Sequence, residues 1–263
     1  MMEQDLHKLE EKSIFIIREA NSKFKNMAAL WSMGKDSTAM LALARKAFLG
    51  RVPFPVIHID NSIDFPESYK FRDELAKKWK MKLIVAHSEI KEEMSGFACC
   101  GANKTTALKK IMDEYGFDAL IVSIRRDEHG IRAKERYFSP RDKEFKWDYK
   151  NQPAELWNNY TSKLDNKGEH IRIHPLLDWN EVDIWNFIKR EKVPMNPLYF
   201  AKDGYRYRSL GCTHCTVPLK SNADSIDKII GELRATKVEE RSGRQQDKEK
   251  EYIMEKLRAL GYM

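Results

Sequence analysis

No apolar run in this 263-residue chain approaches the ~20 residues a membrane-spanning helix needs, so no membrane association is expected. Its opening stretch, MMEQDLHKLEEKS, is charged and lacks the apolar centre of a secretory signal, which makes a cytoplasmic location the expectation. No internal repeat and no low-complexity segment interrupts it, so solenoid and disordered classes drop out. Cysteine is scarce, with four residues, and in a cytoplasmic chain they are not a disulfide framework. The Walker A pattern GxxxxGK[ST] is missing as well. What is present is a hydrophobic fraction of 42% and six tryptophans, the composition of a packed globule. A net charge of +7 fits either a solvated basic surface or an anionic partner, a nucleotide or a nucleic acid.

Apolar periodicity predicts a helix from Leu6 to Phe24, a short strand at Ala28–Met33 and a helix from about Ser37 to Leu49. Pro55–Asp60 and Lys82–Ala86 are continuous apolar runs, expected as strands covered on both faces, with a helix at Glu67–Lys80 between them. A helix at Lys104–Tyr115 and a strand at Ala119–Ile124 complete a β-α-β-α-β-α-β series. That alternation is the mark of an α/β, doubly wound parallel sheet. Residues 125–169 read as a long functional loop or arm. A strand at Ile171–His174 and a helix at Asn180–Glu191 follow, the helix ended by Pro194 and Pro197. Residues 200–222 form a Gly- and Cys-containing loop, and helices are expected at Asp224–Ala235 and Lys248–Leu260. The expected division is a main α/β unit over 1–200 and, over 201–263, a Cys-containing loop with a helical C-terminal extension of the same domain.

The densest chemistry lies at Trp31-Ser32-Met33-Gly34-Lys35-Asp36-Ser37-Thr38, where a strand enters a tight turn that opens a helix. Ser32 and Ser37 supply hydroxyls, Gly34 lets backbone approach a ligand, and the first helical N–H groups point outward at an anion. Lys35 adds a cation suited to a polyphosphate. This segment resembles the PP-loop (SGGKDS) of the N-type ATP pyrophosphatases and PAPS reductase-like proteins, with Met33 where many members have glycine. The resemblance implies an adenine nucleotide alpha-hydrolase-like, Rossmann-like fold. It also implies a grip on the pyrophosphate end of ATP, with Mg²⁺ bridging and attack at the α-phosphorus. ATP-binding residues would then be Ser32, Met33, Gly34, Lys35, Asp36, Ser37 and Thr38. His58 and Asp60, ending the second strand, match the family's position near the adenosine.

Arg125-Arg126-Asp127-Glu128-His129 begins a run to Arg136 that holds five basic side chains, Arg132 and Lys134 included. Directly after a buried strand, such a run can neutralise oxyanions, since arginine's planar fork binds them in bidentate fashion. Together with IRIHPLLDWNEVDIW (171–185), PLYF (197–200) and EERSGRQQD (239–247), it resembles the small catalytic subunit of heterodimeric bacterial sulfate adenylyltransferases. That branch implies ATP + sulfate → adenylylsulfate + pyrophosphate. Lys35, Arg125, Arg126 and Arg132 would be catalytic; Asp127, His129, Lys134 and Arg136 would complete the acceptor site. A separate GTPase subunit would be the partner, and an oligomer is expected. One departure is length: few residues remain between Phe200 and Arg206, where the branch has a longer insertion.

The cysteines are the other departure. They fall in two pairs, Cys99-Cys100 and Cys212-Thr213-His214-Cys215, each in a glycine-bounded loop. Four thiolates suffice for a [4Fe-4S] cluster or for tetrahedral zinc, and CC…CxxC resembles adenylylsulfate reductases. Buried thiols with no metal remain the plain alternative. A cluster favours a second function, thiolation of DNA or tRNA with a cysteine desulfurase as partner. A third is a PAPS or APS reductase-like enzyme using an external thiol, because no cysteine follows Cys215 to serve as its own nucleophile.

Overall fold

Five strands run parallel: β1 (Met27–Leu30), β2 (Val56–Asp60), β3 (Leu83–His87), β4 (Ala119–Ile121) and β6 (His170–Ile173). β5 (Phe138–Arg141) pairs antiparallel with β6, and the sheet order is β3-β2-β1-β4-β6-β5. The computed structural model describes residues 3–88, 97–128, 130–214, 216–236 and 240. The helix expected at Lys248–Leu260 lies outside the described residues.

Alternation along each strand sends side chains into two cores. Met27, Ala29 and Trp31 join residues of α1 (Glu3–Lys23), α2 (Lys35–Ala47), α3 (Pro66–Lys78), α5 (Glu181–Glu191) and α6 (Ile226–Ala235) in the larger one. Ala28 and Leu30 face the other way, onto Leu108, Ile111 and Met112 of α4 (Phe97–Tyr115). Helices on both faces of a mostly parallel sheet make it doubly wound. β1 and β2 are buried throughout, as continuous apolar runs require. β3, at the edge of the sheet, instead alternates buried Ile84 and Ala86 with half-buried Leu83 and Val85 and ends on exposed His87.

The arm over 125–169 is more ordered than its sequence pattern suggests. It contains β5, whose Pro140 sits opposite Ile171. Proline has no N–H to give a second neighbour, so it is accommodated on an edge strand. α5 starts at a capping box in which Asn180 accepts from the Asp183 N–H and Asp183 accepts from the Asn180 N–H. It ends at Lys192 in a left-handed conformation, φ 50°, before Pro194. The short stretch after Phe200 is closed by Asp203 (φ 53°) and Gly204 (φ 82°), with reciprocal bonds between Lys202 and Tyr205. Two consecutive positive φ values are what a two-residue hairpin turn demands. Beyond it, β7 (Tyr205–Arg206) pairs with β8 (Leu219–Lys220). Ile229, Ile230 and Leu233 of α6 are buried in the larger core.

From β1 the chain winds outward through β2 to β3, then crosses back to β4 on the other side of β1. β1 and β4 therefore flank a topological switch point, and ligands of such sheets bind beyond the carboxyl ends of those strands.

Candidate active site

A cavity of about 220 Å³ opens at that point. Its walls come from the β1–α2 turn, the end of β2, α4, the segment after β4 and the 209–212 loop. Leu30, Ile57, Ile59 and Val122 make one part apolar; Lys35, Asp36, Arg132 and Glu240 make another strongly charged.

The β1–α2 turn is tightly built. Trp31 donates its indole N–H to Thr38 Oγ1 (3.1 Å), and the Ser32 and Ser37 hydroxyls meet at 3.2 Å. Met33 holds φ 60°, a left-handed conformation that costs an ordinary residue about 1–2 kcal/mol. A glycine adopts such a conformation without that cost. Gly34 caps α2, and a Cβ there would stand 3.2 Å from Ser32 Oγ and 3.4 Å from Tyr199 Oη. The Lys35 backbone N–H donates to Tyr199 Oη at 2.8 Å. Thus a helix-start amide that could greet a phosphate is held by a buried phenol, whose own pKa burial pushes up to about 12.

Lys35 is 1% exposed. Its ammonium meets Glu240 in a close ion pair, Asp36 at 3.2 Å and Glu181 at 3.8 Å. Burial alone would push its pKa down, but Asp36, Glu240 and Glu181 hold it above the ordinary lysine value, so it stays charged. Arg125 is fully buried behind this group. It pairs closely with Asp36 and Glu240, and its Nε donates to Asp127 at 2.9 Å. Asp127 also accepts the Glu181 backbone N–H at 3.0 Å, tying the segment after β4 to α5. Arg208 closes the network on Glu181 (2.7 Å).

The basic run divides. Arg132 lines the cavity, paired with Glu128. Arg126 turns away to Asp178 and stacks its guanidinium 5.4 Å from the Tyr137 ring centre. Lys134 and Arg136 are exposed, Lys134 lying over Tyr149 at 5.0 Å. His129 lies outside the described residues.

At the end of β2, His58 lines the cavity and shares a hydrogen bond between Nδ1 and the Trp31 carbonyl (3.2 Å). Burial lowers its pKa to about 4. Asp60 is occupied within its own turn, accepting from Ser62 N–H (2.7 Å) and Tyr69 Oη (2.8 Å). Burial opposes its charge, yet those two donors bring its pKa below the usual carboxylate value. It is Asp64, four residues on and 3.9 Å from His58 Nε2, that lines the cavity.

Cys212 is buried at the cavity wall. Cys99 and Cys100 fall in the first turn of α4, with side chains outside the described residues, and Cys215 lies outside them altogether. Among the described residues, no group of three or more His, Cys, Asp or Glu side chains could hold a metal ion. Likewise, no described helix is long and apolar enough to cross a membrane. Sequence reasoning did not single out Tyr199, Glu181, Asp64, Arg208 or Glu240 for this site. PLYF and EERSGRQQD contain two of them, but nothing in those strings says what they touch.

A family model for the phosphoadenosine phosphosulfate reductase domain matches residues 26–218. The chain is 42% identical to "Sulfate adenylyltransferase subunit 2" of Psychromonas ingrahamii, over 98% of its own length and 97% of that protein. It shows the same identity and coverage against the Bacteroides fragilis protein of that name. These alignments run over 294 positions, so the relatives carry residues for which this shorter chain has none. Its backbone is similar to that of a phosphoadenylyl-sulfate reductase from Candida auris in a phosphate complex, with TM-score 0.55 and 18% identity over 82% of this chain and 98% of that one. It is also similar to Candida glabrata FMN adenylyltransferase with FMN and the ATP analogue AMPCPP, with TM-score 0.59 and 18% identity over 98% and 90%. Those two likenesses bear on fold alone. With its parallel sheet, its loop at the switch point and a match over residues 26–218, the chain belongs to the phosphoadenosine phosphosulfate reductase domain family.

Proposed function

We propose that this chain is the catalytic subunit of a sulfate adenylyltransferase, converting ATP and sulfate into adenylylsulfate and pyrophosphate. The observation that carries the reading is the 42% identity, across nearly all of both chains, to proteins of that name. A sulfate oxygen attacks the α-phosphorus, the bond to the β-phosphate oxygen breaks, and pyrophosphate leaves with the bonding electrons. No protein nucleophile is needed; positioning and charge stabilisation supply the rate. Lys35 and the amides of the β1–α2 turn hold the leaving pyrophosphate. The apolar walls from Leu30, Ile57, Ile59 and Val122 accept the base, and Arg132 supplies positive charge to the acceptor. Mg²⁺ takes one or two carboxylates plus phosphate oxygens and waters rather than an all-protein cage. Asp36 at the cavity wall suits that, and the ion would neutralise charge on the departing pyrophosphate.

A GTPase subunit is the proposed partner, since the relatives are called subunit 2 and sulfate adenylylation is uphill by itself. A cytoplasmic site of action goes with that partner. The test is sulfate-dependent release of pyrophosphate from ATP, followed with pyrophosphatase present and the partner subunit added. Adenylylsulfate is the expected product. Pyrophosphate release that ignores sulfate removes the sulfate assignment.

A second reading, a [4Fe-4S] or zinc site on the cysteines within a thiolating enzyme, draws support from Cys212 at the cavity wall. Lys104 and Thr105 of α4, the helix that carries Cys99 and Cys100, line the same cavity. A nucleic acid and a cysteine desulfurase would then replace sulfate and the GTPase.

A further inference from the structure

Glu240 is the sole described residue beyond Thr236, and it sits inside the phosphate site. One carboxylate oxygen pairs with the Lys35 ammonium and the other with the Arg125 guanidinium, so a single anion bridges the carboxyl edges of β1 and β4. The Glu240 side chain is 6% exposed, and Arg125 behind it has no exposed side-chain surface. Burial opposes ionisation of Glu240, but Arg125 and Lys35 drive its pKa far below the carboxylate range. A buried carboxylate with two oxygens, each on a cation, presents the same charge and spacing problem that one phosphate group presents. The two cations are also the ones that the sequence marks for phosphate and oxyanion binding. While Glu240 is in place, neither is available to a ligand.

We infer that Glu240 is a resident stand-in for the pyrophosphate: the site binds either its carboxylate or the ligand's phosphate, and ligand entry displaces Glu240 from Lys35 and Arg125. This rests on the reading of the cavity as an ATP site and adds to it a competitor built into the chain. Displacement presents Arg125, otherwise sealed, to the phosphates. Return of Glu240 after the reaction neutralises both cations and helps pyrophosphate leave. In the ligand-free protein Glu240 adds a second anion shared by the two cations, beside Asp36, which also pairs with both; Glu181 and Asp127 complete their shells.

The experiment uses the full chain and inorganic pyrophosphate as probe, with ATP as the second ligand. Glu240→Gln keeps size and one acceptor oxygen while removing the charge. Pyrophosphate and ATP should bind the variant more tightly, on the order of tenfold, the scale of one charge-assisted contact withdrawn from competition. KM for ATP should fall while kcat does not rise, and the unliganded melting temperature should drop. Glu240→Asp, one methylene shorter and unable to span both cations, should fall between the two and serves if the glutamine variant does not fold. Unchanged or weaker pyrophosphate binding by these variants overturns the inference, because a scaffold or metal-ligand carboxylate behaves that way. If the parent binds neither pyrophosphate nor ATP, the functional reading itself fails and takes this inference with it; the parent's own titration therefore separates the two failures.

Discussion

Tyr199 Oη accepts the backbone N–H of Lys35 at 2.8 Å, across 164 positions of sequence. The contact joins a short 3₁₀ turn after α5 to the first residue of α2 and fixes where the phosphate loop sits.

Tyr199→Phe should therefore destabilise the ligand-free protein by about 1–2 kcal/mol, the cost of a buried donor left without its acceptor. The ring keeps its edge contact with Trp185, so packing is preserved. Chemical denaturation measures the loss. Saturating pyrophosphate should recover part of it, because a phosphate oxygen can take the Lys35 amide. An unchanged midpoint would show that the phenol does not anchor the loop.

Lys35→Ala should lower the rate of ATP cleavage on the order of a hundredfold or more, the usual effect of removing a group aimed at developing charge. Product analysis by ion-exchange chromatography should show pyrophosphate and an adenylylated acceptor from the parent. ADP and phosphate as main products would place the break at the wrong bond and end the PP-loop interpretation.

The two arginines should separate. Arg132→Ala, at the cavity wall, should weaken acceptor binding by about 1.5–3 kcal/mol, the range for a hydrogen bond to a charged group. Arg126→Ala should leave KM for sulfate and ATP near the parent values, since Arg126 is committed to Asp178 and Tyr137. Equal loss of sulfate affinity in both variants would contradict that division.

Stability should fall in mild acid. His58, with a pKa lowered to about 4 by burial, is neutral in the fold but binds a proton near 6.5 when unfolded. Between those values the unfolded chain holds more protons, so stability rises with pH across the window and is fully present above it. The contribution is lost as pH drops from about 6.5 to 4, and amounts to at most about 3 kcal/mol. His170, lowered by burial in the same direction, acts in the same sense. His58→Gln should flatten part of the slope in pH-dependent denaturation; an identical slope would mean that His58 titrates normally in the fold.

Metal analysis decides the cysteines. A [4Fe-4S] site predicts brown protein after anaerobic purification with about four irons per chain, and a zinc site predicts colourless protein with one zinc. Cys212→Ser should abolish either. Stoichiometric metal in neither form would leave Cys212 as a buried wall residue of the cavity.

Most of the sheet was legible because its signal is local. Val56–Asp60 can be covered on both faces only if it lies inside a parallel sheet, and its apolar run says so. The polar string from Ser32 to Thr38 had to follow a strand and open a helix, since strand end and helix start are where backbone donors face a ligand. Likewise, Asn180 followed by Asp183 marks the start of α5 without any tertiary information. β5 escaped because Pro140 weakens a strand pattern, and edge position, which makes proline tolerable, is a property of the finished sheet.

What surrounds Lys35 was decided by tertiary structure alone. Periodicity reports on neighbours three or four residues apart, whereas Tyr199 and Glu240 reach Lys35 from 164 and 205 positions away. Sheet order brings their segments to one edge, and no pattern in PLYF or EERSGRQQD encodes that meeting. The same holds for choosing between like residues: Asp64 rather than Asp60, and Arg132 rather than Arg126, line the cavity because of how two short turns leave their strands. Residue types and their spacing therefore determined the sheet, the loop and the kind of chemistry. The order of strands, and the burial it imposes on each charge, determined which residues face the ligand and which anion holds Lys35 in its absence.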